Sequence, residues 1–137
     1  MIAIKTDVRC YLDSSALAKL VIREPESHAL RTFLKRAQLM VTSAISETEL
    51  RRAVTRVAPT AHDAAPRVLS VVAQMEVSRD VLAAAARVKP AQLRTLDAIH
   101  LATALEIATE LDTFITYDGK LSDAAQAAGL QVTQPGH

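Results

Sequence analysis

Residues 8–20 read VRCYLDSSALAKL. Val8 to Leu12 is short, apolar and β-prone. After Asp13-Ser14-Ser15 comes a helical stretch, Ala16 to Ile22, with Leu17, Leu20 and Val21 on one face. This is strand, turn, helix, with an acid at the carboxyl end of the strand.

The alternation continues outward from that segment. Pro25 marks a helix start, and His28 to Gln38 sets Leu30, Phe33 and Leu34 against Arg31, Lys35 and Arg36 as an amphipathic helix. Leu39 to Thr42 reads as the next strand. Ser43 or Ser46 opens a helix to about Val57, which Pro59 breaks, and a helix from Asp63 to near Val72 completes a helical hairpin. Met75 to Val77 is a short strand candidate before the alanine-rich helix Arg79 to Val88 and the connection Lys89-Pro90-Ala91. Leu96 to Ile107 is apolar on almost every face, which predicts a helix deep in the fold. Thr113 to Thr116 is a strand, Leu121 to Ala128 a helix with Gly129 as its C-cap, and Leu130 to Val132 a last strand. Strands alternating with helices imply right-handed crossovers, hence an α/β fold: a three-layer α/β/α sandwich around a mostly parallel sheet of four to five strands. In such sheets the ligand crevice lies beyond the carboxyl ends of the strands, where strand order reverses.

Composition narrows the function. At 137 residues and 50% hydrophobic, the chain fits one domain spanning residues 1–137. Twenty-five alanines and 3% aromatic residues predict a helix-rich core of small and aliphatic side chains. No apolar run approaches the ~20 residues that cross a bilayer, and the N-terminus lacks a signal-peptide pattern, so a soluble, intracellular, cytoplasmic protein without membrane attachment is expected. Cys10 is the only cysteine, which excludes intramolecular disulfides and multi-thiolate metal sites, and it reads as a small buried hydrophobe. Three glycines cannot build a P-loop or a dinucleotide loop, which disfavours ATP, GTP and NAD.

Four acids fall near the expected crevice. Asp13 follows strand one, Glu49 lies in the first turns of the helix after strand two, Asp97 lies in the first turn of the buried helix, and Asp118 lies two residues past Thr116. Each has a structural explanation: Asp13 as an N-cap, Ser46-Glu47-Thr48-Glu49 as a capping box, Asp97 as an answer to the helix dipole. Ordinary capping does not explain a charge at the inner end of an otherwise apolar helix. Carboxylates that converge in a partly buried crevice repel one another unless a cation neutralises them. All-oxygen ligands suit Mg²⁺ or Mn²⁺, ions that activate water and stabilise charge in phosphoryl transfer.

YLDSSALAKL, TSAISETELRRA, LRTLDAIHLATAL and FITYDGKL, in this order, resemble the motifs of a PIN domain, specifically the VapC toxin branch of bacterial VapBC toxin–antitoxin systems. The resemblance runs from Tyr11 to about Val132. It assigns the four acidic positions to Asp13, Glu49, Asp97 and Asp118, with Ser15 and Thr116 as supporting hydroxyls. Leu50 and Ala53 set the register that selects Glu49 and leaves Glu47 as a solvated neighbour. It implies a Mg²⁺-dependent endoribonuclease, with Mn²⁺ able to substitute, acting on tRNA or rRNA to inhibit translation and growth. It also implies a homodimer and a VapB antitoxin that blocks the site. Asp13, Asp97 and Asp118, with Glu49 as a fourth metal candidate, would hold the ion directly or through water while Glu49 orients or deprotonates the attacking water, and in-line displacement would leave a 5′-phosphate and a 3′-hydroxyl. The antitoxin is expected along the cleft beside the hairpin of residues 46–72.

The net charge of +1 conceals a bias: with the four clustered acids set aside, 16 Lys and Arg face 11 other acids. That balance is compatible with an RNA substrate. Arg51, Arg52 and Arg56 on the Glu49 helix, and Lys89 and Arg94 before Asp97, are the candidate RNA contacts; solvated helix faces are the alternative. Tyr11, Phe33, Phe114 and Tyr117 are too few for a stacking platform, so recognition should rest on RNA shape and backbone. His100, three residues after Asp97, reads as a packed core histidine, because a hard-cation site has no need of imidazole. A phosphorylatable receiver module would need paired acids after strand one, where Ser14-Ser15 stand instead. A catalytically silent RNA-binding or dimerisation module would lose acids that are all present here.

Overall fold

The computed structural model describes residues 7–137. Five parallel strands, β1 (Val8–Leu12), β2 (Ala37–Ser43), β3 (Ala73–Met75), β4 (Thr113–Ile115) and β5 (Val132–Thr133), form one sheet in the order β3-β2-β1-β4-β5. The helices α1 (Ser14–Ala18), α2 (Ser27–Leu34), α3 (Ile45–Val57), α4 (Ala64–Ser70), α5 (Arg79–Ala85), α6 (Thr95–Glu106) and α7 (Gly119–Ala127) connect them. This is the three-layer α/β/α arrangement expected from the alternation.

Alternation along β1 builds both sides of the core. Val8, Cys10 and Leu12 face a layer containing Leu17, Leu30, Leu50, Val54 and Leu69, whereas Tyr11 joins Phe114, Leu101, Leu121 and Ala125 on the opposite side. Every residue of α6 from Ala98 to Ala104 is buried, because the helix packs against β2, α5 and α7 together. Its all-round apolar sequence meets protein on nearly every side.

Several boundaries differ from the sequence reading. The Asp13 side chain accepts from the Ala16 N–H, so α1 begins at Ser14; after Ala18 the chain continues to Ile22 in tighter turns rather than as helix. The second helix stops at Leu34 instead of Gln38, since Val8 pairs with Ala37 and draws residues 37 and 38 into β2. Strand β3 spans Ala73–Met75 rather than Met75–Val77, and Val77 packs instead beside Val81 and Ile99. The final strand is Val132–Thr133, displaced from Leu130–Val132 because Gly129, at φ 97°, closes α7 and the Leu130 N–H turns back to Ala125 O. The capping box at Ser46 does not form: Ser46 lies inside α3, buried, with its hydroxyl 2.7 Å from Thr42 Oγ1.

Sheet order determines where a site can form. From β1 the chain crosses to β2 on one side, while β4 lies on the other, so the order reverses between β1 and β4. Their register pairs Leu12 with Ile115, and the Asp13 N–H reaches Ile115 O at 3.2 Å. Asp13 and Thr116 therefore leave the sheet side by side.

Candidate active site

A cavity of about 540 Å³ opens at that point, and Asp13, Glu49, Asp97 and Asp118 all line it. Four different elements deliver them: the β1–α1 junction, α3, the first turn of α6 and the β4–α7 junction.

Asp13 is the most deeply set, at 2% exposure. Its Oδ1 accepts from the Ser15 hydroxyl at 2.7 Å and the Ala16 N–H at 3.0 Å, and its Oδ2 accepts from the Thr116 hydroxyl at 2.6 Å. Burial nevertheless raises its pKa above the ordinary carboxyl value, against the opposing pull of these hydrogen bonds. The supporting hydroxyls also organise the β4–α7 turn: the Tyr117 N–H donates to Ser15 Oγ at 3.0 Å and the Asp118 N–H to Thr116 Oγ1 at 3.1 Å. Asp118 then caps α7 by accepting from the Leu121 N–H at 3.0 Å.

Asp97 shows no capping bond and is pushed up by burial and by the negative charge of Asp118. Between these two acids lies Arg94, 3.1 Å from Asp118 Oδ2 through Nη2 and 3.4 Å from Asp97 Oδ2 through Nε. Among the described residues no three His, Cys, Asp or Glu side chains are gathered tightly enough to grip an ion between them. The donor set itself suits a hard divalent cation: oxygens only, on one cavity, with a surplus of negative charge that raises Asp97. A guanidinium meets part of that charge in this arrangement.

Of the basic candidates, Arg52, Arg56 and Arg94 line the cavity, and Arg51 and Lys89 do not. Arg51 instead pairs with Glu47 across one turn of α3 on the exposed surface. Glu49 faces inward, with Oε1 2.7 Å from His100 Nε2, while His100 Nδ1 lies 2.7 Å from the Tyr11 hydroxyl. His100 is the fully buried, hydrogen-bonded histidine that its place on an apolar helix predicts. That its partner is a cavity carboxylate escapes the sequence reading, because nothing in the local pattern around His100 points to residue 49 or residue 11.

A model of the PIN domain matches residues 10–127. The chain belongs to the PIN-domain family, in its VapC group. Ribonuclease VapC46 of Mycobacterium tuberculosis is 43% identical over 125 residues, covering 91% of this chain and 96% of that protein. Among solved structures, this PIN domain matches M. tuberculosis VapC20, a sarcin–ricin-loop-cleaving toxin, with a TM-score of 0.72 at 21% identity over 92% of this chain and 99% of that one. It also matches VapBC2 from Rickettsia felis bound to a promoter DNA fragment, with a TM-score of 0.64 at 15% identity over 92% and 98% of the two chains. Among the described residues, no helix of this PIN domain is long and apolar enough to cross a membrane.

Proposed function

We propose that this protein is the toxin of a VapBC toxin–antitoxin pair: a Mg²⁺-dependent endoribonuclease, active with Mn²⁺, that cuts tRNA or rRNA in the cytoplasm and so stops translation and growth. Membership of the VapC group makes it a ribonuclease of the PIN type. The observation that carries the reading is that four carboxylates from four sequence-distant elements line one cavity, with Arg52, Arg56 and Arg94 on its walls.

Asp13, Asp97 and Asp118 would hold the metal, directly or through water. The ion supplies neutralisation of the phosphodiester charge and acidification of a bound water. Glu49 would orient the attacking water and take its proton at a carboxylate oxygen. Arg52 and Arg56 attract the RNA backbone, and Arg94, released from Asp97 and Asp118, is available to the scissile phosphate. In-line displacement leaves a 5′-phosphate and a 3′-hydroxyl. The active form is a homodimer, and a VapB antitoxin covers the cavity beside the α3–α4 hairpin. A basic antitoxin side chain reaching the carboxylates would compete with the ion.

The test is expression without the antitoxin, sequencing of cleaved RNA ends, and cleavage in vitro with Mg²⁺, Mn²⁺ or EDTA. Asp13→Asn and Asp97→Asn serve as inactive, folded controls. Undiminished cleavage in excess chelator would rule out the metal, and co-purification with an antitoxin that leaves cleavage intact would rule out occlusion.

A further inference from the structure

Three of the four sequence motifs meet beneath the cavity in one hydrogen-bonded line, Tyr11–His100–Glu49. Tyr11 lies on β1, His100 on α6 and Glu49 on α3. Tyr11 is fixed from behind by stacking on Phe114, with the rings 5.1 Å apart and 3° from parallel. His100 is fully buried, and its neighbours on α6, Ala98, Ile99, Leu101 and Ala102, are apolar. An apolar residue would satisfy the packing alone; the ring instead joins a fully buried hydroxyl to a carboxylate that faces the cavity.

The chemistry of the three groups gives the line a direction. An ionised carboxylate only accepts, so His100 Nε2 carries a proton and donates it to Glu49 Oε1. In the neutral ring Nδ1 is then an acceptor, and the Tyr11 hydroxyl donates to it. Among the described residues Glu49 has no other hydrogen bond or ion pair, so His100 is what selects its rotamer.

We infer that His100, held by Tyr11 as an Nε2–H tautomer, is a positioning residue that aims the Glu49 carboxylate into the cavity. The inference rests on the nuclease reading for its catalytic consequence, and on geometry alone for the tautomer. A misplaced catalytic group costs on the order of 10²-fold in rate. His100→Leu is therefore expected to lower kcat about 100-fold with KM for RNA little changed. His100→Gln, whose side-chain amide can still donate to Glu49, should regain a large part of that loss.

Two measurements on the full-length protein decide it. Long-range ¹H–¹⁵N spectra should show His100 as the Nε2–H tautomer, with its Nδ1 resonance moved by Tyr11→Phe; an Nδ1–H ring, or no response to Tyr11→Phe, overturns the line. Steady-state kinetics of folded His100→Leu and His100→Gln give the second: wild-type kcat in the leucine variant, or equal loss in both, overturns the positioning role. If the wild-type protein cleaves no RNA, the nuclease reading fails, while the spectra still decide whether the line exists.

Discussion

The Thr116 hydroxyl donates a 2.6 Å hydrogen bond to Asp13 Oδ2 across 103 residues of sequence. Thr116 Oγ1 also accepts the Asp118 N–H, so one side chain sets both the buried acid and the turn that presents its neighbour. Thr116→Val keeps the shape and removes the donor. A hydrogen bond to a charged group is worth about 1.5–3 kcal/mol. Urea unfolding at pH 7 should show a loss of that size, and Thr116→Ser should restore most of it.

The raised Asp13 carboxyl gives a pH signature. Because burial lifts its pKa in the folded state, the native protein binds this proton more tightly than the unfolded chain. Ionisation therefore costs stability as pH rises from the ordinary carboxyl range through the folded value. Asp13→Asn should melt at or above wild type at pH 7 without divalent metal. The difference should shrink as pH falls toward the ordinary carboxyl value of 3.8. Thermal melts from pH 4 to pH 8 test this; an advantage that grows toward acid contradicts it.

Arg94 competes with any cation for Asp97 and Asp118, but its side chain is 80% exposed. Exposed ion pairs are worth about 0–1 kcal/mol, so Arg94→Ala should tighten Mn²⁺ binding by at most about fivefold. Its KM for RNA should rise, because the cavity loses a cation. Free-Mn²⁺ titration by electron paramagnetic resonance, beside cleavage kinetics, measures both, and weaker Mn²⁺ binding would contradict the competition.

RNA affinity should depend on which arginines face the cavity. For single strands each lost phosphate contact lowers the slope of log affinity against log salt by about 0.7. Arg52→Ala and Arg56→Ala should each flatten the slope by about that amount in an inactive Asp97→Asn background. Arg51→Ala and Lys89→Ala should leave it unchanged, since neither residue lines the cavity. Fluorescence anisotropy with a labelled RNA at several salt concentrations separates the two groups.

Local patterning was enough to show the strand–turn–helix at Val8 to Ala18, the buried helix around Leu101, the left-handed Gly129 and the candidate acids at strand and helix ends. Each depends on interactions within a few residues: a cap, a turn, a periodic face. The exact end of α2 was not legible, because pairing of Ala37 with Val8 on the neighbouring strand decides it. Strand order and register also decided what the acids touch. They set Thr116 on Asp13, Arg94 between Asp97 and Asp118, and His100 on Glu49, while Glu47, two residues from Glu49, turns to Arg51 on the surface. Such contacts join residues far apart in sequence, so their geometry exists only once the sheet has brought the carboxyl ends of β1 and β4 together.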